Sequence, residues 1–249
     1  LEYLHRSLHL RKRKYDPENM DIPHPDITSS YSVIANIYED QGNHKEALKL
    51  HFMSLDMAKK IFDPKNSDQP HPTIASCYNN IAVVYKDQGK FEEALKYYFM
   101  SLEMIKKIHD PTGSNQVNTT FAKCYHNIAE VYRNQGMYEQ ALKYHFLGLK
   151  MTKQIHDPRD SNLPHPDIAA SYASIGSVYL SQEAYDLALE YYFKSLNMQK
   201  KFAPTNSHPV LAMCYNNIAN IYSHQENHDE ALKYYGLALQ MMKKIHDPD

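Results

Sequence analysis

Tyr78-Asn-Asn-Ile-Ala-Val-Val-Tyr-Lys-Asp-Gln-Gly-Lys-Phe-Glu-Glu-Ala-Leu-Lys-Tyr-Tyr-Phe-Met-Ser-Leu102 is written five times along the chain with small changes. Tyr31, Tyr78, Tyr125, Tyr172 and Tyr215 each open a Tyr-x2-Ile-(Ala/Gly)-x2-Tyr segment, and they stand 47, 47, 47 and 43 residues apart. The last interval is shorter because the linker at Pro204-Thr-Asn-Ser-His208 has lost four residues relative to the one that reaches His165. A fixed period of this size belongs to a solenoid of supersecondary units and not to a single globular core.

Within the quoted unit, Ile74, Tyr78, Ile81, Ala82 and Tyr85 recur at three- and four-residue spacing, which is one face of a helix. Pro72 suits the first turn, where its missing N–H would be unpaired anyway, and Asp26 and Asp167 follow the equivalent prolines, at the positive helix end. The third unit offers Asn118 as an N-cap instead. Gly89 supplies a left-handed stop. A second helix carries Phe91, Ala94, Leu95, Tyr98, Ser101, Leu102 and Ile105 on its buried face and ends at Asp110-Pro111. Ala94 and its counterparts Ala47, Ala141, Ala188 and Ala231 mark a close helix contact, as do the Ala82 and Ser101 registers.

The expected architecture is therefore all-α, a right-handed superhelical solenoid of antiparallel helix pairs with about five and a half repeats. Residues 1–16 read as the second helix of a truncated repeat, since Leu1, Leu8 and Asp16-Pro17 align with Leu142, Leu149 and Asp157-Pro158 at three periods. Complete repeats are expected at 24–63, 71–110, 118–157, 165–203 and 208–247, in one array over 1–249. The start at Leu1 reads as a fragment or a truncated first repeat.

A formal charge of -2 gives no electrostatic reason to expect nucleic acid or an anionic membrane. No apolar run approaches the roughly 18 residues of a membrane span. Composition fits a cytoplasmic protein, and Cys77, Cys124 and Cys214 share one register, too far apart for disulfides. They read as small buried residues in a reducing compartment.

These anchors resemble the tetratricopeptide repeat, whose pattern is large-x2-Leu-Gly-x2-Tyr followed by Ala-x3-aromatic. Tyr78-x2-Ile81-Ala82-x2-Tyr85, Gly89 and Ala94-x3-Tyr98 match it, five times over. The period exceeds the family's usual ~34 residues, and the second helix runs past Lys106, where the family has its closing proline. Tyr-Asn-Asn-Ile-Ala and His165-Pro166-Asp167 look most like the kinesin light chain branch. Gln182-Glu183 and Gln225-Glu226 replace the Gln-Gly turn, so strain or a different turn shape is expected there.

No Gly-rich phosphate loop, Gly-x-Ser-x-Gly or paired catalytic carboxylates stand out, so no enzyme activity and no cofactor are expected. Most of the 15 histidines sit at repeated linker positions, before Pro or before Asp-Pro, and read as helix-end devices; no metal site is expected. Binding is the remaining reading. The first helix of each pair lines the inner wall of such a solenoid. Beside its buried stripe it carries Asn36; Asn79, Asn80 and Lys86; His126, Asn127, Glu130 and Arg133; Ser174 and Ser177; Asn216, Asn217 and Asn220. Asparagine is a poor helix-interior residue, and its amide donates and accepts at once, which suits the backbone of an extended peptide.

The resemblance implies which peptides to consider. Chaperone-tail binders of the family grip a terminal carboxylate with lysines, an arginine and asparagines. Asn36, Asn80 and Lys123 match three of those places, but Ser32 and Asn127 stand where two cations should be, so that activity is not expected. Light-chain-like adaptors bind acidic peptides carrying an aromatic, a role for Lys86 and Arg133. The expected partner is a protein or peptide, with no nucleic acid and no membrane. Alternatives are an accessory array of a larger enzyme or motor-associated protein, a passive spacer, and self-association through the open repeat ends.

Overall fold

The computed structural model describes residues 1–18, 22–110, 118–202 and 209–246, with side chains as far as 244. The shortened linker at 204–208, Pro111 and the end of the chain lie outside them. Every element is an α-helix. Two compact units divide the chain, Leu1–Gln116 and Val117–Asp249. The first holds α1 (Glu2–Tyr15) and the pairs α2 (Pro25–Asp40) with α3 (His44–Phe62) and α4 (Pro72–Asp87) with α5 (Phe91–His109). The second holds α6 (Thr119–Asn134) with α7 (Tyr138–His156), α8 (Pro166–Ser181) with α9 (Tyr185–Phe202), and α10 (Pro209–His224) with α11 (His228–His246). Within each unit antiparallel pairs stack on one another as the expected all-α helix-pair repeats, eleven helices in all among the described residues.

Helix starts follow from local chemistry, with one surprise. Asn118 caps α6, its Oδ1 accepting from the Thr120 N–H at 2.7 Å. At α2, α4 and α8 a histidine does the same work: Nδ1 of His24, His71 and His165 accepts from the N–H two residues on, at 3.1, 3.2 and 3.2 Å. An sp² nitrogen two bonds from Cβ reaches the orphan N–H much as an asparagine oxygen does. Each capping ring also lies flat on the last aromatic of the preceding helix where one is present. Tyr15 stacks on His24, Phe62 on His71 and His156 on His165, with ring centroids 3.6, 3.6 and 3.5 Å apart. His24, His71, His165 and, through its stack, His156 are therefore helix-end devices.

The turn inside each pair needs one residue at positive φ. Gly89 provides it at +72°, its N–H donating to Lys86 O and the next N–H to Tyr85 O, a Schellman-type closure. Glu183 and Glu226 take the same place at φ 60° with the same two bonds. The glutamate turns are thus not differently shaped; they hold a side chain where glycine fits at no steric cost.

Between pairs, the linker aspartates Asp63 and Asp157 are more than stops. Asp63 and Asp157 are buried. Asp63 Oδ1 accepts from both the N–H and the hydroxyl of Ser67, and Asp157 Oδ1 from both of Ser161. Burial pushes these carboxyls up, but the hydrogen bonds outweigh it and hold both below the ordinary value.

The core is built by the small-residue registers. Ala35, Ala82, Ala129 and Ala219 on the first helices, and Ala47, Ala94, Ala141 and Ala188 on the second, are fully buried. Ser54 and Ser101 use their hydroxyls across the same contact, donating to Thr28 O at 3.1 Å and Ala75 O at 2.9 Å. Tyrosines fill the remaining space as stacked pairs, Tyr85–Tyr97, Tyr132–Tyr144, Tyr179–Tyr191 and Tyr222–Tyr234, centroids 5.4–5.6 Å apart. A lysine from one pair lies over the anchor tyrosine of the next: Lys12 over Tyr31 at 5.3 Å, Lys59 over Tyr78 at 5.7 Å and Lys200 over Tyr215 at 5.6 Å. All three cysteines are buried and none is in a disulfide.

Candidate functional site

The first helices carry the polar registers expected to meet a ligand. In the first unit, Asn36 is exposed, while Asn79, Asn80 and Lys86 are half-buried. Lys86 Nζ stands 3.3 Å from Asp87 Oδ1, so its charge is already partnered.

The second unit brings its candidates into two clusters. On α6, Arg133 Nε and Nη2 donate to Glu130 Oε2 at 3.1 and 2.7 Å. Glu130 in turn has its other oxygen 3.3 Å from Nε2 of the fully buried His145 on α7. Burial alone would raise Glu130, yet His145 and Arg133 together hold it down to about 2. His145 Nδ1 is 2.9 Å from His126 Nδ1, and His126 Nε2 is 3.1 Å from Ser171 Oγ on α8. Burial, then the neighbouring His145, pushes His126 down to about 4.

The other cluster centres on Tyr192, fully buried on α9. Its hydroxyl meets Ser177 at 2.9 Å and accepts from Asn217 Nδ2 at 3.0 Å. Burial pushes it up to about 12. Asn220 Oδ1 accepts from the Tyr235 hydroxyl at 2.6 Å. Asn217 and Asn220 thus each commit one bond internally, and three further bonding positions of each amide stay available. Asn216 is exposed and Asn127 half-buried.

Lys123 differs from the candidate cations Lys86 and Arg133. It is exposed, and no ion pair holds it among the described residues. It stands at a cavity of about 250 Å³ between α6, α7 and α8, with Ala122, Ala170 and Ile155 among its apolar walls and Thr119, His126, Ser171 and Ser174 among its polar ones. His156 and Asp167 complete one end. Sequence reading named Lys123, His126 and Ser174 but missed His145, Thr152, Ile155 and Ser171. The available signal was the break in Ala-x3-aromatic at Ala141-x3-His145.

His156, His165 and Asp167 are close enough to suggest a metal site, with Asp167 Oδ2 3.5 Å from His156 Nε2 and 3.9 Å from His165 Nδ1. The rings, however, are parallel to within 12° and stacked. Lone pairs in two stacked planes cannot converge on one ion about 2.0–2.1 Å from each nitrogen, and His165 Nδ1 is occupied by the capping N–H. The pair repeats the Tyr15–His24 and Phe62–His71 stacks, so its geometry is that of a helix junction.

No helix among the described residues is long and apolar enough to cross a membrane. No curated protein matches the sequence significantly. Among solved structures, BtubC (BKLC) from P. vanneervenii is similar, at 17% identity and a TM-score of 0.72 over 100% of this chain and 91% of that one. A Podosopora anserina putative kinesin light chain with nearly identical TPR-like repeats aligns at 17% identity and 0.67, over 91% and 100%. Aspartyl phosphate phosphatase F from Bacillus subtilis aligns at 15% and 0.73, over 96% of this chain but 56% of that one. At these identities the likeness is one of fold. The tetratricopeptide repeat family model matches residues 26–107, 73–154, 120–201 and 167–244, in overlapping register with the helix pairs, and the chain therefore belongs to the tetratricopeptide repeat family.

Proposed function

We propose that this chain is a protein-interaction scaffold of the kinesin light chain-like kind and that its second unit binds a peptide segment of a partner across α6, α8 and α10. Proteins of this fold generally act as protein–protein interaction scaffolds. The observation that carries the finer reading is the cavity beside Lys123. Apolar walls of Ala122, Ala170 and Ile155 suit an aliphatic or aromatic anchor side chain, and the unpaired ammonium at the mouth suits a carboxylate on a neighbouring residue. Asn127, Asn216, Asn217 and Asn220 lie along the same helices, and an amide that donates and accepts at once suits a peptide backbone. In the first unit Asn36, Asn79 and Asn80 repeat that register. Lys86 and Arg133, tied to Asp87 and Glu130, have a smaller part in recognition than their charge alone suggests.

A peptide array of acidic segments with one large apolar residue, probed with the full chain, tests this. Lys123→Glu is expected to weaken the bound peptides at least tenfold, about 1.4 kcal/mol. Ala170→Trp, which fills the cavity without touching a charge, is expected to do the same. Unchanged binding by both variants would refute the assignment.

A further inference from the structure

The chain copies its repeat faithfully, yet at one junction it departs at four touching positions. Where the junction before it carries Asn79, Tyr98, Ser101 and Cys124, the α6–α7–α8 junction carries His126, His145, Gly148 and Ser171. His145 has a counterpart in His51 and Ser171 in Ser30, but the four together occur only here. They are mutually dependent: a Cβ on Gly148 would stand 2.8 Å from His126 Nε2, so the imidazole occupies the space that a serine side chain fills elsewhere. Two of the four, His126 and Ser171, also line the cavity beside Lys123.

We propose that the Ser171–His126–His145–Glu130 chain is a one-proton store whose charge is held on His145, behind the part of the cavity wall that His126 and Ser171 line. The contacts allow two states that differ by one proton; in both, His145 Nε2 lies 3.3 Å from Glu130 Oε1, a close polar approach that falls short of an aligned hydrogen bond. In the first, the Ser171 hydroxyl donates to His126 Nε2, His126 Nδ1–H donates to His145 Nδ1, and His145 Nε2–H faces Glu130. In the second, the Ser171 hydroxyl turns to Asp167 O, 2.8 Å away. His126 then donates from Nε2 to Ser171, and its Nδ1 accepts from His145. His145 now bears a proton on each nitrogen, as an imidazolium beside the Glu130 carboxylate. No donor faces a donor in either state, and His126 stays neutral in both, in keeping with the burial that disfavours its charge. A doubly protonated pair would set two N–H groups against each other at 2.9 Å. The store therefore holds one proton and no more.

The groups that face it are few and are accounted for. From α6 come Glu130 and Arg133, which fix a carboxylate at its inner end. From α7 comes His156 and from α8 Asp167, both at the cavity, where Lys123 also stands. Tyr192 of α9 lies within electrostatic reach of Arg133 and stays neutral. Filling the store places one positive charge on His145, behind the His126 and Ser171 wall, so a carboxylate in the cavity would be held more tightly on mild acidification. That effect on binding rests on the peptide reading above; the store itself is a property of the chain alone.

Nitrogen-15 histidine spectra of the full chain, from ~pH 8 to ~pH 5.5 across the ordinary histidine range, test it without any peptide. The triple variant His126→Asn, His145→Tyr, Gly148→Ser restores three of the four residues of the preceding junction, and with Ser171, already matched by Ser30 in the first pair, it should fold; it identifies the two rings. The expected result is a single transition in which His145 gains its second N–H while His126 exchanges Nδ1–H for Nε2–H. A difference titration against the triple variant should count one proton. Two protons, none, separate midpoints for the two rings, or a His126 tautomer that never changes would each overturn the proposal.

Discussion

Gly148 shows how much one missing methyl can specify. Its register elsewhere holds serine or alanine, and as a sequence position it reads only as another small residue; the His126 ring that needs the space lies 22 residues away in sequence and becomes visible only when α6 meets α7. Gly148→Ala should destabilise by about 1–3 kcal/mol through overpacking, whereas in a His126→Asn background the same change should cost less than ~0.5 kcal/mol. Urea denaturation of the four proteins in that cycle measures the coupling. Buried histidines also set a pH limit. His51, with neither nitrogen hydrogen-bonded, and His126 are both pushed down to about 4 by burial. Their folded values lie below the unfolded ~6.5, so the stability they contribute is complete above about pH 6.5 and drains away as pH falls towards 4. Denaturation midpoints should therefore drop over that interval, ahead of any loss at Glu130, whose value near 2 places its contribution lower still. A flat profile from pH 6.5 to 4 would show that these rings are solvated.

At the level of the helix, ends and turns carry separable energies. The histidine caps predict that His71→Ala costs about 0.5–2 kcal/mol, while His71→Asn, the solution that Asn118 already uses at α6, is nearly neutral. Thermal melts of the two variants distinguish a capping role from a merely aromatic one, since only the stack on Phe62 is lost in both. Glu183→Gly should raise stability by about 1 kcal/mol by relieving a side chain at φ 60°. Ala94→Leu should lower it by roughly 1–3 kcal/mol, because Ala94 is fully buried and the added atoms have no room. Helices and their pairing were legible from Tyr78-x2-Ile81-Ala82-x2-Tyr85 and Ala94-x3-Tyr98, since a periodic apolar face has few other uses. The cap was harder to read. His-Pro-Asp announces a helix start, but whether histidine or aspartate accepts the orphan N–H depends on a ring orientation fixed by Tyr15, Phe62 or His156 from the preceding helix.

For the molecule as a whole, family and helix order were written in the period, whereas the division into Leu1–Gln116 and Val117–Asp249 was not. A 47-residue repeat says that units exist and nothing about which junctions are firm. The candidate site was legible in outline only. Lys123, His126 and Asn217 could be placed on the right helices, but their partners Ser171, His145 and Tyr192 come from other helices, and those pairings need three dimensions. Because each pair leans chiefly on its neighbours, amide exchange should be fastest in α1, where Tyr3 and Leu10 lie open to solvent, and slowest in α4 and α8, each of which packs against helices on both sides. Uniform protection along the chain would point instead to a single cooperative block.

The stacked tyrosines have a consequence of another kind. With 21 tyrosines and no tryptophan, the chain's near-ultraviolet signal comes chiefly from phenol rings, and four of its ring pairs share one geometry. Each such pair is a built-in chromophore dimer, one in each of the four helix pairs from α4 to α11. Near-ultraviolet dichroism, which reports fixed side-chain packing, should therefore fade in steps that track the opening of individual helix pairs. Nitration of a single ring would give that pair a colour of its own.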